Sequence, residues 1–275
     1  MTLAADDRSP VWVNGVATRA VDALDRGLQF GDGCFETLSC VAGKVRWLAQ
    51  HLVRLRTGCR ALQIALPSDA WLQECLLQAS VAQTRCLLKL TVTRGIATAR
   101  GYRPSGEEQC TVIVARHPWP EAVVASLRVE LSAVQLGHNA LLAGIKHLNR
   151  LEQVLAQRQL GPGCDEVVLR DQAGQVICGS MSNLFICEAS GLLTPDLRLC
   201  GVLGIVRAQV LAAATSLSIP VRTAPVSLAT LQAAPACFFT NVRLGVCPAA
   251  SFQGRMLAVD ARVTALQRWV DAHAV

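Results

Sequence analysis

Apolar and polar residues alternate in some stretches of this chain and repeat every three or four positions in others. The first period predicts half-buried strands and the second amphipathic helices. Val11, Trp12 and Val13 run into Asn14-Gly15, the pair that favours a tight hairpin turn. A second hairpin is predicted from 35–41, through Ala42-Gly43-Lys44, to 45–48. Residues 50–62 put Leu52, Leu55 and Leu62 on one side and predict a helix. After Pro67, Ser68 or Asp69 can cap a second helix reaching about residue 83. Strands are predicted at 86–93 and 109–115.

His117-Pro118-Trp119-Pro120 follows, and two prolines this close forbid a helix and stiffen the chain. A boundary there gives two α/β domains, 1–117 and 118–275. The second domain opens on a strand at 127–134. A helix from Lys146 to about residue 159 follows, closed by Gly161-Pro162-Gly163. Strands are predicted at 166–169, 175–177, 183–187 and 192–194, with a late strand within 238–246, and helices at 204–217 and 259–272. Strands and helices mixed through both parts define an α/β (α+β) fold class.

With 275 residues the chain can bury a full core, and 52% hydrophobic against 17% charged residues excludes disorder. No apolar run approaches the roughly 18 residues needed to span a bilayer. Asp6 and Asp7 interrupt any basic-then-apolar leader pattern, so a cytoplasmic protein is expected, with no membrane partner. The net charge of +6 is scattered, without the basic stripe of a nucleic-acid binder, and suits a small anionic substrate or cofactor. The 12 cysteines include no Cys-x-x-Cys pair and have mostly apolar neighbours. Reduced core thiols are expected, with neither a disulfide framework nor a zinc site.

Lys146 is one of three lysines, against 23 arginines. An ammonium can lose its proton and become a nucleophilic amine, whereas a guanidinium cannot. Lys44 falls in a hairpin turn and Lys89 on the polar side of a strand, which leaves Lys146 as the candidate for bonding a carbonyl or pyridoxal phosphate. A solvated lysine at a helix start is the alternative. Gly201-Val202-Leu203-Gly204 precedes a helical pattern, where the free amides of Ile205 and Val206 can hold a phosphate or simply form a loop-to-helix turn. Arg54 stands one helical turn after His51.

Read in order, several short segments together resemble the class IV aminotransferase family, the pyridoxal-phosphate enzymes of fold type IV. They are residues 25–37 and 51–55, Thr93-Arg94-Gly95 with Arg100-Gly101-Tyr102, and the run around Lys146. Ser182-Asn183-Leu184-Phe185, residues 201–207 and Phe239-Thr240-Asn241 complete the set. The resemblance implies a two-domain fold with the cofactor between domains, usually in a homodimer. It implies that Lys146 is the Schiff-base lysine and proton shuttle, and that Arg54 grips the cofactor phosphate. The amides of Ile205 and Val206 would meet that same phosphate, and Asn241 and Val242 would lie in a loop closing on it. Arg100 and Tyr102 would lie in a loop shaping the substrate pocket. The stretch from Leu142 to Glu152 is most similar to the family's lyase branch, which eliminates pyruvate from an anionic ring substrate. A D-amino-acid or branched-chain aminotransferase, or a catalytically weak cofactor-binding homologue, remains the alternative. One position departs from the family pattern. Cys178 stands where a glutamate usually pairs with the pyridine nitrogen of the cofactor, and the acids nearest in sequence are Asp171 and Glu188.

Overall fold

A computed structural model describes residues 9–81, 83–120 and 124–274. Asp6 and Asp7 lie outside the described residues. The chain forms two compact units. Among the described residues, one contains 9–120 together with Lys146–Asn149; the other contains 124–145 and Arg150–Ala274.

The first unit contains β1 (Val11–Val13), β2 (Val16–Ala17), α1 (Arg26–Phe30), β3 (Gly33–Val41) and β4 (Lys44–Val45). It continues with α2 (Leu48–Ala61), α3 (Asp69–Ser80), β5 (Arg85–Thr93) and β6 (Thr111–Pro118). Its strands form one sheet in the order β2-β1-β6-β5-β3-β4. Asn14 and Gly15 both take positive φ, 49° and 79°, as the β1–β2 turn requires. Along β5 the inward residues are Cys86, Leu88, Leu90 and Val92, every second position. On β3 the same alternation buries Cys34, Glu36, Leu38 and Cys40. Helix α2 packs on β3, and α3 on β5 and β6. Helix α3 begins at the Ser68 cap, whose hydroxyl accepts from Trp71 N, and stops at Ser80, short of the expected residue 83.

The second unit contains β7 (Leu127–Leu136), α4 (Leu151–Gln157), β8 (Glu166–Asp171), β9 (Val176–Gly179), β10 (Asn183–Glu188) and β11 (Gly191–Pro195). It continues with α5 (Ile205–Ser216), β12 (Val221–Ala224), α6 (Leu228–Ala233), β13 (Ala236–Asn241), β14 (Gly245–Phe252), β15 (Arg255–Met256) and α7 (Ala261–Ala272). The strands run β12-β11-β10-β13-β14-β7-β8-β9, with β15 paired to β14. Leu184, Ile186, Phe239 and Cys247 belong to one apolar cluster, while Phe185 and Phe238, opposite each other across β10 and β13, stack at 4.9 Å. Helices α5 and α7 pack on each other, α5 against β13 and β14, and α7 against β14.

Three local expectations change. The late strand expected within 238–246 is β13, and a second strand, β14, starts in the same range because Asn241 Oδ1 accepts from Arg243 N and Leu244 N and turns the chain back. His117 and Pro118 still belong to β6, where they pair with Leu87 and Cys86 at the strand end. Lys146 does not open a helix. Residues 146–149 are extended along β3, with Phe35 N donating to Lys146 O and Leu148 N to Gly33 O, both at 2.9 Å, and α4 begins only at Leu151.

Candidate active site

In the first unit the key position is Glu36. Alternation along β3 turns its side chain inward, where Cys34, Leu38 and Cys40 are its apolar neighbours on that face. A buried carboxylate there needs partners, and α2 supplies them. Arg54 Nε donates to Oε1 at 2.8 Å, Arg54 Nη2 to Oε2 at 2.5 Å, and His51 Nδ1 bonds Oε2 at 2.7 Å. Burial alone would raise the Glu36 pKa; the Arg54 charge and the hydrogen bonds from Arg54 and His51 outweigh it and hold the carboxyl below its ordinary range. An ionised Glu36 only accepts, so His51 must carry its proton on Nδ1. Burial, opposed by the hydrogen bond to Glu36, lowers the His51 pKa, and the charges of Arg54 and Lys146 add to that. His51 is therefore neutral. Its Nε2 lone pair is buried and has no hydrogen-bond partner among the described residues.

Phe35, next in sequence to Glu36, faces the opposite side of the sheet. The Lys146 Nζ lies over its ring, 4.4 Å from the centroid, and the Lys89 Nζ lies 5.2 Å from the same centroid. Gly31 (φ 65°) lets the chain turn into β3 and brings its carbonyl to Asn149 Nδ2 at 3.1 Å, which pins the segment just after Lys146. Arg26, paired with Asp32, donates to the carbonyls of Gly101 and Tyr102 and so anchors the loop that carries Arg100 and Tyr102. Tyr102 itself is 83% exposed, with its ring edge-on to Phe30.

The second unit brings three loops together. Helix α5 starts at Gly204 without a side-chain cap, so the amides of Ile205 and Val206 have no partner within the helix. A Cβ on Gly204 would come within 2.0 Å of Asn183 Oδ1, which shows how tightly this loop sits on β10. Asn183 Nδ2 donates to Val202 O at 2.9 Å, and Asn241 Nδ2 to Met181 O at 3.3 Å. The helix start, the 180–183 turn and the turn after β13, which holds Asn241 and Val242, are thus tied to one another. Such a helix N-terminus is an anion site by geometry and by dipole.

Cys178 belongs to an apolar cluster with Leu136, Leu169, Ile177 and Leu197. Burial, with the nearby Cys200 and Glu166 adding to it, pushes its pKa far up, so it is a neutral thiol and not a thiolate. The two acids nearest in sequence are engaged elsewhere: Asp171 with His138, and Glu188 with Arg222. The buried carboxylate of this region is Glu166, which the sequence did not single out. It accepts from Val167 N, Ser180 N, Ser180 Oγ and Ser182 Oγ. Three of these bonds fall on Oε1 and one on Oε2, so Glu166 fixes the 180–182 turn.

The bonds by which Glu36 holds His51 and Arg54 were also missed. A glutamate on the inward face of a strand was a readable signal for Glu36; its pairing with α2 was not. The Lys146 amine, the Arg54 guanidinium and the uncapped start of α5 are donor types suited to an aldehyde-bearing phosphate ester, so the residues present fit pyridoxal phosphate.

The amino-transferase class IV family model matches residues 33–252. The chain is 31% identical to an aminodeoxychorismate lyase from Vibrio harveyi, over 94% of this chain and 96% of that one. It is also 27% identical to a D-alanine aminotransferase from Listeria monocytogenes, over 86% and 84% of the two chains. Among solved structures, 4-amino-4-deoxychorismate lyase from Pseudomonas aeruginosa superposes with a TM-score of 0.90 at 37% identity, covering 95% of this chain and 98% of that one. The chain therefore belongs to the class IV aminotransferase family, whose cofactor is pyridoxal phosphate.

Proposed function

We propose that the protein is a pyridoxal-phosphate-dependent lyase that converts 4-amino-4-deoxychorismate to 4-aminobenzoate and pyruvate, a step that serves folate biosynthesis. The observation that carries this reading is the likeness, over nearly the whole chain, to the lyases from Vibrio harveyi and Pseudomonas aeruginosa. The cofactor, when bound, supplies an aldehyde for the substrate amine and a conjugated ring that draws electron density. Lys146 is the residue assigned to hold that aldehyde. Ile205, Val206, Asn241 and Val242 are assigned to the phosphate, together with Arg54, whose guanidinium Glu36 holds in place.

Once released, the Lys146 amine removes the proton on the ring carbon that bears the substrate nitrogen. The electrons of that C–H bond complete the aromatic ring as the C–O bond to the enolpyruvyl group breaks. Lys146 then returns a proton to the departing group, which leaves as pyruvate. Lys89, the second cation at the Phe35 ring, suits a substrate carboxylate, and Arg100 and Tyr102 are assigned to the substrate loop. Because the product is aromatic, the elimination tolerates a weaker electron sink. A neutral Cys178 in the glutamate position is therefore less damaging to a lyase than to a transaminase.

The test is to incubate the purified enzyme with 4-amino-4-deoxychorismate and follow 4-aminobenzoate and pyruvate together. Equal release of both supports the reading. No release, with amino transfer from D-alanine or a branched-chain amino acid to a 2-oxoacid, would replace it with the transaminase reading.

A further inference from the structure

In the second unit, beside the apolar cluster that holds Cys178, three side chains from distant parts of the sequence converge. His138 follows β7, Asp171 ends β8 and Cys200 precedes the loop to α5. One nitrogen, one oxygen and one sulfur from these residues all lie within 4.8 Å of one another. His138 Nε2 and Asp171 Oδ2 are 2.9 Å apart. Asp171 and Cys200 are buried, while the His138 side chain is 31% exposed. The constellation is thus closed on one side and open to solvent on the other.

The surrounding bonds hold the donors in this arrangement. Asp171 Oδ1 accepts from Ala173 N and Gln175 N at 3.0 and 2.8 Å, which aims Oδ2 at His138. Asn139 N donates to Leu199 O at 2.8 Å, and Gly144 N to Gly201 O at 2.9 Å. These bonds lash the segment that carries His138 to the one that carries Cys200. Gly137 N donates to Glu152 Oε1 at 2.8 Å on the other flank of His138. Metal ligands are characteristically oriented by outer hydrogen bonds of this kind.

We propose that His138, Asp171 and Cys200 form a binding site for a zinc-class divalent cation. Imidazole, carboxylate and thiolate together match the preferences of zinc, and three protein ligands with a solvent-facing fourth position form a recognised coordination pattern. On binding, His138 carries its ring proton on Nδ1 so that Nε2 can ligate, and the Cys200 thiol releases its proton to solvent. The ion would clamp residues 137–144, which lead to Lys146, against residues 199–202, which lead to the α5 start. The proposal stands apart from the choice between lyase and transaminase.

The test uses tag-free holoenzyme, stripped of metal with a chelator, exposed to a slight excess of zinc and desalted. About one zinc should remain per chain, and the melting temperature should rise by about 5 °C. Cobalt in place of zinc should give the visible absorption of a tetrahedral thiolate-ligated ion. His138→Asn and Cys200→Ala should each weaken zinc binding by about 100-fold or more, beyond what loss of an outer-shell partner does. Both variants should keep the far-ultraviolet dichroism and cofactor absorption of the parent. His138 is on the surface, so its variant tests the site even if Cys200→Ala folds poorly. Retention below about a tenth of an equivalent by the parent, or equal retention by His138→Asn, would overturn the proposal; the latter would place the metal on other thiols.

Discussion

Glu36 shows how much one buried charge can organise. Its carboxylate fixes both the tautomer of His51 and the direction of the Arg54 guanidinium. Glu36→Gln would leave the Arg54 charge buried without its counter-charge, and urea denaturation should show a loss of about 3–5 kcal/mol; a loss under about 1 kcal/mol would mean that water already screens the pair. The same cluster sets a pH dependence. His51 is held below its ordinary 6.5, so below that pH the unfolded chain binds a proton that the folded one refuses. Glu36 is held below 4.5, which has the same sign at lower pH. Stability from both groups is therefore complete near neutrality and lost on acidification, through His51 first. In melting curves from pH 7 to about pH 5, His51→Gln should flatten the slope; an unchanged slope would assign it to other groups. Cys178→Glu addresses the absent carboxylate. Gaining a charge-assisted hydrogen bond of about 1.5–3 kcal/mol corresponds to roughly tenfold or more in rate. Transaminase side activity should rise by that order while lyase activity changes less. Equal change in both, or in neither, would show that residue 178 does not act on the cofactor ring.

At the scale of elements, the α5 N-terminus depends on backbone fit. Gly204 is required because a Cβ would collide with Asn183 Oδ1, the residue that ties β10 to the 202–204 loop. Gly204→Ala should shift the helix start and weaken cofactor binding by about tenfold or more, read by titrating the apoenzyme and following fluorescence quenching. Unchanged affinity would remove the Ile205 and Val206 amides from the phosphate. The sequence exposed this element because a Gly-rich loop before a helical period is a local pattern. It did not expose Glu166, whose four donors come from its own neighbour and from the turn after β9. Nor did it show that residues 146–149 are extended, since their conformation is imposed by pairing with β3.

At the scale of the whole molecule, Leu24, Leu28, Ile96 and Tyr102 leave apolar surface exposed on the first unit. A homodimer is the expected consequence. Sedimentation should give twice the chain mass, and Leu28→Asp should shift the mass toward that of one chain; a parent that sediments as a monomer would remove the dimer from the account. What the sequence determined by itself was whatever its local order encodes. The two periods gave the α/β class and most of the elements, and the short ordered motifs gave the family, with Lys146 and the uncapped helix start at Gly204 as its candidate site. Burial, pairing and protonation were decided by the tertiary structure, because they depend on which distant groups share a dry space. Only folding puts Glu36 beneath Arg54 and His51, closes Cys178 into an apolar cluster as a neutral thiol, and gathers His138, Asp171 and Cys200 from segments that share no motif spacing.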